Sequence, residues 1–196
     1  MIPILILAAG GSTRMRGADK LLEPVGGAPL LRVLAERAQA TGHPVFVALP
    51  ALDHPRADVI RDLVVHPLAV PEAAEGMSGT MRGAVAQLPD APAFMLLLGD
   101  LVAIRTEDMA AVIKARGEQP DHLIWRGATV DGKPGHPIIF DASLRTAFQT
   151  LTGDSGGEPI VRPLADRTCL VPLPDNRARL DLDTPEDWEN WRNSIP

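Results

Sequence analysis

The chain has 196 residues, 45% of them hydrophobic, which is typical of a globular protein with a sizeable core. Its 19 lysines and arginines against 25 aspartates and glutamates give a net charge of −6, so no basic nucleic-acid-binding face is expected. The first apolar run breaks at Gly10, too short for a signal peptide, and no run is long enough to cross a membrane. We therefore expect a single domain over residues 1–196 that works in the cytoplasm, away from membranes.

Cysteine usage fits a reducing compartment. Cys169 is the only cysteine, so no disulfide can form within the chain. It lies in an apolar run with Leu170 and Val171, which predicts a buried structural thiol and not a nucleophile.

The first strand and the loop after it carry the strongest functional signal. Residues 4–7 are wholly apolar and predict a strand buried on both faces. Residues 8–12, Ala-Ala-Gly-Gly-Ser, have almost no side-chain bulk, so their backbone N–H groups can approach a ligand closely. Arg14, Arg16 and Lys20 follow at once. A small loop with clustered cations suits a polyphosphate.

Two common phosphate loops do not match this segment. A Walker loop needs Gly-Lys-Ser/Thr, whereas Gly17 is followed by Ala-Asp-Lys. The dinucleotide pattern G-x-G-x-x-G fails because Gly10 and Gly11 are adjacent. The missing pattern disfavours a plain Rossmann-type oxidoreductase.

The next elements predict a right-handed βαβ unit. Residues 29–39 place leucines at helical spacing, and residues 44–49 form a second apolar strand. Residues 58–63 predict a short helix, and residues 63–65 a brief third strand.

A loop over residues 71–80 then leads into a predicted helix at 81–88. Ser78 is placed to cap that helix. A capping role alone would account for a serine at this position, and such a role is compatible with a ligand bound at the same helix end.

Asp100 follows the apolar strand predicted at residues 93–98. Open parallel sheets bind ligands at the carboxyl ends of their strands, so this carboxylate is expected beside the cation-rich loop. A carboxylate next to a triphosphate needs a divalent cation between them, and Mg²⁺ is the usual one. Capping of the helix near Thr106 is a poorer explanation, because Asp100 lies several residues too early.

The C-terminal half predicts alternating short elements. Residues 107–115 form a helix, 122–125 a strand, 127–135 a turn-rich hairpin loop, 135–140 a strand and 141–150 a helix.

The last motif combines a helix cap with two further carboxylates. Thr184 before Pro185 is a good N-cap, and acidic residues occupy the first turn. Capping does not explain Asp181 and Asp183, which alternate with leucines and so share one face of a predicted strand. One or both could complete a metal site with Asp100.

These motifs together resemble the sugar-phosphate and cofactor nucleotidyltransferases, most closely the MobA-like, molybdenum cofactor cytidylyltransferase branch. The loop reads L-A-A-G-x-S-x-R-M-x-x-x-x-K, and L-G-D, G-H-P, G-D-x-G and D-T-P-E-D follow in the family's order. Val102 replaces the family's proline after L-G-D. The resemblance implies a three-layer α/β/α sandwich with a mainly parallel, Rossmann-like sheet.

The resemblance also implies roles for individual residues. Arg14 and Lys20 would hold the triphosphate, while Asp100, with Asp181 or Asp183, would hold Mg²⁺. His136 and Asp154 would face the acceptor, although a lone histidine and a glycine-rich turn are each also common as purely structural features. The residues expected to surround the nucleotide are Leu7, Ala8, Ala9, Gly10, Gly11, Ser12, Ser78 and Thr80.

The implied reaction is transfer of a nucleoside monophosphate to the phosphate of molybdopterin-type molybdenum cofactor, with release of pyrophosphate. Ala9 favours CTP as donor, because the guanylyl branch more often has L-A-G-G here. Guanylyl or other nucleotidyl transfer to a different phosphorylated acceptor remains an alternative. So does a non-catalytic chaperone that binds molybdenum cofactor and delivers it to an apoenzyme. The resemblance also allows transient contact of this protein with a molybdoenzyme or its chaperone.

Overall fold

A computed structural model describes residues 1–194. Its strands are β1 Ile4–Leu7, β2 Pro24–Val25, β3 Ala28–Pro29, β4 Val45–Leu49, β5 His66–Ala69, β6 Ala93–Leu98, β7 Ile124–Ala128, β8 Pro134–Asp141 and β9 Thr168–Pro172. Its α-helices are α1 Leu30–Gln39, α2 Pro55–Asp58, α3 Met77–Ala86, α4 Thr106–Glu118, α5 Glu158–Val161 and α6 Pro185–Ser194. Short 3-10 helices span Thr13–Met15, Lys20–Leu22, Pro71–Glu75, Ala142–Thr150 and Arg162–Arg167. No helix of the described chain is both long and apolar enough to cross a membrane.

Seven strands form one sheet in the order β5-β4-β1-β6-β8-β7-β9, and β2 and β3 form a separate hairpin. β8 runs antiparallel to both its neighbours, whereas the other strands share one direction. The mainly parallel α/β sheet predicted from the sequence is therefore confirmed.

Alternating side chains of the central strands supply two cores, one on each face of the sheet. Ile4 and Ile6 of β1 point to the face covered by α1, α4 and α6. Leu5 and Leu7 point to the face covered by α3. Because every residue of β1 is buried, both faces need helices, which gives the layered architecture.

Two elements lie elsewhere than predicted. The short helix is α2 at Pro55–Asp58, before the predicted 58–63, because His54 accepts a hydrogen bond from the Arg56 N–H and Pro55 occupies the first helical position. The strand expected at residues 63–65 is β5, which pairs in parallel with β4 from His66 onward. Residues 142–150 are helical as expected, but the helix is of the 3-10 type.

Cys169 lies on the edge strand β9 and is half-buried, packed against the first core. Burial raises the pKa of its thiol. Both observations agree with a structural role.

Candidate active site

A cavity of about 520 Å³ opens at the carboxyl edge of the sheet, where β1 and β6 end. It brings together most of the predicted site residues: Leu7, Gly10, Gly11, Ser12, Arg14, Lys20, Thr80, Asp100, Asp154 and Asp183. Ala8, Ala9, Ser78, His136 and Asp181 do not line it. Ala8 and Ala9, the first two residues of the loop, are buried, and the Ala9 methyl group does not line this cavity.

The two glycines of the loop leave its backbone bare on the cavity side. A Cβ at Gly10 would meet nothing within 4 Å, and one at Gly11 would meet only the Thr13 side chain at 3.7 Å. Neither glycine has a positive φ; the loop turns instead at Ser12 and Arg16, with φ of 49° and 54°. Side chains at positions 10 and 11 would therefore occupy ligand space without disturbing the protein's own packing.

Arg56, which the motifs did not single out, holds the loop from behind and is only 2% exposed. Its Nη1 donates to the carbonyl oxygen of Ala8 at 2.5 Å, and its Nη2 donates to Ser12 Oγ at 3.1 Å. Its Nε and Nη2 donate to the two carboxylate oxygens of Asp19 at 2.7 and 2.8 Å. This bidentate pair ties the start of the loop to its end.

Asp19 connects this network to Lys20. Burial tends to raise the pKa of Asp19, but the hydrogen bonds and charge of Arg56 outweigh burial and lower it. Asp19 also accepts the N–H of Leu21 at 3.0 Å and so caps the 3-10 turn that carries Lys20. Arg56 therefore helps, through Asp19, to position Lys20.

Lys20 and Arg14, the cations predicted to hold a triphosphate, contact carboxylates. Lys20 Nζ lies 2.5 Å from Asp100 Oδ2 and 2.8 Å from Asp183 Oδ1. Arg14 Nη1 lies 2.6 Å from Asp183 Oδ2. Burial tends to lower the pKa of Lys20, but Asp100 and Asp183 outweigh it and raise that pKa, so the amine is firmly protonated.

Asp100, Asp181 and Asp183 come together although 80 residues separate the first from the others. One carboxylate oxygen of each lies within 4.8 Å of the corresponding oxygens of the other two. Asp181 does not lie on a full strand as predicted; it forms a single bridge with Leu101, directly after Asp100. Partial burial and the charges of Asp100 and Asp183 raise the pKa of Asp181, with Lys20 opposing.

The chemistry of this cluster fits a divalent cation. Hard cations prefer carboxylate oxygens, and three carboxylates of like charge repel one another unless a positive charge lies among them. Asp100 Oδ1 is buried and has no hydrogen-bond partner within the described chain, so one oxygen lacks even the Lys20 contact. An orphaned buried acceptor beside two further carboxylates is an arrangement that a cation would satisfy.

Helix α3 begins at this cavity, but not as predicted. Gly76 is its N-cap, with a φ of 99°, and Ser78 lies within the first turn. The expectation that Ser78 caps the helix is therefore wrong, because the helix begins four residues earlier than residue 81. Ser78 is fully buried, and its Oγ has no hydrogen-bond partner among residues 1–194. Thr80 lines the cavity and donates to the Gly76 carbonyl oxygen at 3.1 Å.

Of the two residues predicted to face the acceptor, Asp154 lines the cavity and His136 does not. Asp154 lines the cavity and packs so closely on the start of α3 that a Cβ at Gly76 would lie 1.9 Å from its Oδ1. His136 lies on β8 beside the cavity, with Nδ1 3.4 Å from the Leu96 carbonyl oxygen. Burial, and then the charge of Arg126, lower the pKa of His136 to about 4, so its ring is neutral.

Comparison with known families decides the classification. The model of the MobA-like NTP transferase domain matches residues 4–168, which include the loop, Lys20, Asp100 and His136. The chain belongs to the MobA-like NTP transferase family. The family predicted from the motifs is thus confirmed.

Relatives of this MobA-like domain include longer proteins. The chain is 33% identical over 147 residues to the bifunctional protein GlmU of Ralstonia nicotianae, a match that covers 72% of this chain and 31% of GlmU. The chain thus spans about a third of the length of the curated relatives it matches.

Solved structures share the fold of this MobA-like domain. Rv0371c of Mycobacterium tuberculosis H37Rv superposes with a TM-score of 0.80 at 24% identity, over 98% of each chain. The same protein has been solved as a complex with manganese, with a TM-score of 0.78, 24% identity and 99% of each chain covered. CMP:2-keto-3-deoxy-manno-octonic acid synthetase complexed with CTP gives a TM-score of 0.77 at 15% identity, over 98% of each chain.

Proposed function

We propose that the protein transfers CMP from CTP to the phosphate of a molybdopterin-type acceptor and releases pyrophosphate. The observation that carries this proposal is the single cluster of Lys20, Arg14, Asp100 and Asp183 beside a bare glycine loop. Cations for a triphosphate and carboxylates for a metal meet there, as nucleotidyl transfer requires.

In the proposed reaction an oxygen of the acceptor phosphate attacks the α-phosphorus of CTP. A new P–O bond forms there, and the bond from the α-phosphorus to the bridging oxygen breaks. Pyrophosphate leaves with that electron pair. No protein nucleophile is needed, so the residues act by positioning and by neutralising charge.

Lys20 and Arg14 bind the phosphates of the donor. Both side chains line the same cavity as the glycine loop, so they can exchange a carboxylate contact for a phosphate oxygen when a triphosphate enters. Arg56 and Asp19 keep Lys20 and the loop in place while this exchange occurs. The N-terminal turn of α3, with Thr80, faces the other side of the nucleotide.

Asp100, Asp181 and Asp183 would hold Mg²⁺. When bound there, Mg²⁺ would neutralise negative charge on the donor phosphates next to the carboxylates.

The preference for CTP rests on the L-A-A-G loop alone, since the Ala9 methyl group lies outside the cavity. A second candidate is nucleotidyl transfer to another phosphorylated acceptor, which the match to GlmU favours. A cofactor chaperone is less well supported, because binding alone would not require Asp100 together with Arg14 and Lys20.

The test is pyrophosphate release measured with CTP, GTP, ATP and UTP against molybdopterin and a set of sugar phosphates. We expect release with CTP and molybdopterin in the presence of Mg²⁺. Pyrophosphate release with another nucleotide or another acceptor would change the proposed donor or acceptor but would still support nucleotidyl transfer. Tight molybdopterin binding with no release from any nucleotide would contradict the enzyme proposal and favour the chaperone.

A further inference from the structure

A second cavity, of about 500 Å³, lies near the far edge of the sheet, between β7, β9 and the segment that begins with α5. Three arginines line it: Arg126 from β7, Arg162 after α5, and Arg179 from the loop before Asp181. Glu158 is the only acidic residue in its wall, and Val161 and Leu170 supply apolar surface. The cavity thus combines a strong positive charge with an apolar patch.

These three arginines differ from the other cations of the chain. Most of the lysines and arginines form ion pairs. Within residues 1–194, Arg126, Arg162 and Arg179 have no carboxylate within 4.0 Å.

Three further arginines form no ion pair within residues 1–194 and make other contacts. Arg37 donates to two carbonyl oxygens, Arg116 stacks on a tryptophan ring, and Arg167 donates twice to the Asp121 carbonyl oxygen. Three of the six arginines that form no ion pair within residues 1–194 therefore line this one cavity.

Arg126 is the least exposed of the three. Its Nε donates to the Gly135 carbonyl oxygen at 3.1 Å, its only hydrogen bond within the described chain. Burial lowers its pKa, with Glu158 opposing and Arg179 adding to the effect. A partly buried guanidinium whose other N–H groups face a cavity is a binding group for an anion.

The arginine cavity and the nucleotide cavity lie on the same face of the sheet. Arg126 lies two residues after Ile124 on β7, so the two side chains share one face of the sheet, and Ile124 belongs to the core beneath α3. Asp154, which lines the nucleotide cavity, comes just before Glu158, which lines the arginine cavity. The short segment from Asp154 to Glu158 therefore borders both cavities.

His136 lies on the strand between the two cavities. Its strand, β8, lies between β7, which carries Arg126, and β6, which ends at Asp100. The charges of Arg126 and Asp100 both act on the His136 ring. Arg126 and Arg179 also fix the strand before this ring, through the carbonyl oxygens of Gly135 and Pro134.

We propose that the arginine cavity binds a second anionic group of the acceptor, at the end remote from the phosphate that reacts. This inference rests on the proposed function. It defines the acceptor as a molecule with two anionic ends, the remote one joined to an apolar or ring-shaped body that packs on Val161 and Leu170.

Phenyl phosphate is a suitable probe, since it joins a dianion to an apolar ring. We expect it to bind the full-length protein in calorimetric titration, also in the presence of saturating CTP and Mg²⁺. Arg162→Gln and Arg126→Gln should each weaken binding by roughly tenfold or more, because each removes a charge-assisted contact. Arg167→Gln is the matched control, because it removes the same charge outside the cavity, and it should change little.

Arg162→Gln removes no hydrogen bond of the described chain, so its result does not depend on altered folding. Absence of phenyl phosphate binding, or equal binding by wild type and Arg162→Gln, would overturn the site. Binding that does not compete with an acceptor active in pyrophosphate release would overturn the acceptor assignment and indicate a separate anion site. CTP binding to the wild-type protein, measured in the same experiment, tests the proposed function independently. A wild-type protein that does not bind CTP would contradict the proposed function without bearing on the arginine cavity.

Discussion

Lys20 and Asp100 form an ion pair across 80 residues of sequence, with Nζ 2.5 Å from Oδ2. Asp183 accepts from the same ammonium group at 2.8 Å. The amine therefore holds together carboxylates that would otherwise repel one another, at the place proposed for the cation. In the proposed function, the donor phosphates would compete with these carboxylates for this one lysine.

Replacing Lys20 should have opposite effects on metal affinity and on turnover. In Lys20→Met we expect Mn²⁺ to bind more tightly, by several-fold, because the competing ammonium has left the carboxylates. Pyrophosphate release should fall roughly ten- to a hundredfold, since one charge-assisted contact to the donor is lost. Titration with Mn²⁺ and steady-state assays measure the two quantities.

Lys114→Met is the control, because Lys114 is exposed and, within residues 1–194, pairs only with Glu118 on the same helix. It should change neither quantity. A parallel loss of metal affinity and turnover in Lys20→Met would indicate general damage to the site and contradict the exchange of contacts described above.

Arg56 should stabilise the fold through Asp19 and the loop. Removing one partner of a buried ion pair leaves the other uncompensated, so Arg56→Met should lower the free energy of unfolding by about 3 kcal/mol. Denaturant unfolding measures this loss. Arg32→Met removes an ion pair with the exposed Asp62, and it should lower stability clearly less than Arg56→Met does.

Arg56→Lys separates charge from geometry. Lysine keeps the positive charge but cannot bridge both oxygens of Asp19 and the Ala8 carbonyl oxygen at once. We expect CTP to bind more weakly to this variant even where it is fully folded. An Arg56→Lys variant that binds CTP as tightly as the wild type does would contradict the positioning role of Arg56.

Much of the site could be predicted from local patterns, because these residues lie in continuous segments. The glycine loop follows an apolar strand, and Asp100 follows another, so each is placed by its own strand. Arg56 escaped prediction because its partner Asp19 is 37 residues away and the helix that carries it is a single turn. The His-Pro pair before it was the available signal.

The arginine cavity could not be predicted for a related reason. Arg126, Arg162 and Arg179 come from three separate elements, and only the sheet order β8-β7-β9 brings them together. No short motif contains two of them. The sequence pattern also predicts the wrong N-cap for α3. A polar residue such as Ser78 before an apolar run is typical of a cap, but Gly76 occupies that position.

Gly76 should be intolerant of a side chain because Asp154 lies against it. Gly76→Ala combines a φ of 99° with a Cβ that would lie 1.9 Å from Asp154 Oδ1. Gly132→Ala is the control, because its φ is also positive, at 80°, but its Cβ would meet nothing within 4 Å. We expect about 1 kcal/mol of destabilisation for Gly132→Ala and clearly more for Gly76→Ala.

The double variant Gly76→Ala with Asp154→Ala removes the clash but keeps the strained φ. Its stability, measured by thermal unfolding, should rise above that of Gly76→Ala, towards the level of Gly132→Ala. A double variant no more stable than Gly76→Ala would show that Asp154 is not the obstacle.

His136 should make stability depend on pH. Its folded-state pKa is about 4, below the ordinary histidine value, so the unfolded chain binds the extra proton more readily. Stability is then lost as the pH falls from about 6.5 to about 4, by on the order of 3 kcal/mol from this group. His136→Gln should flatten that slope in denaturant unfolding, whereas His66→Gln should retain it. An unchanged slope in His136→Gln would contradict the neutral buried ring.

Pyrophosphate release by Asp100→Asn, compared with wild type, tests the proposed catalytic centre most directly. The substitution keeps the shape of the side chain but removes the charge that faces Lys20 and the other two carboxylates. Asp90→Asn is the matched control, because Asp90 is fully exposed and its one ion pair in the described part of the chain is with Arg145. With CTP, Mg²⁺ and an active acceptor, we expect turnover to fall about 10²- to 10³-fold in Asp100→Asn and to stay unchanged in Asp90→Asn. Near-normal, Mg²⁺-dependent turnover in a folded Asp100→Asn would contradict the assignment of this carboxylate cluster as the catalytic centre.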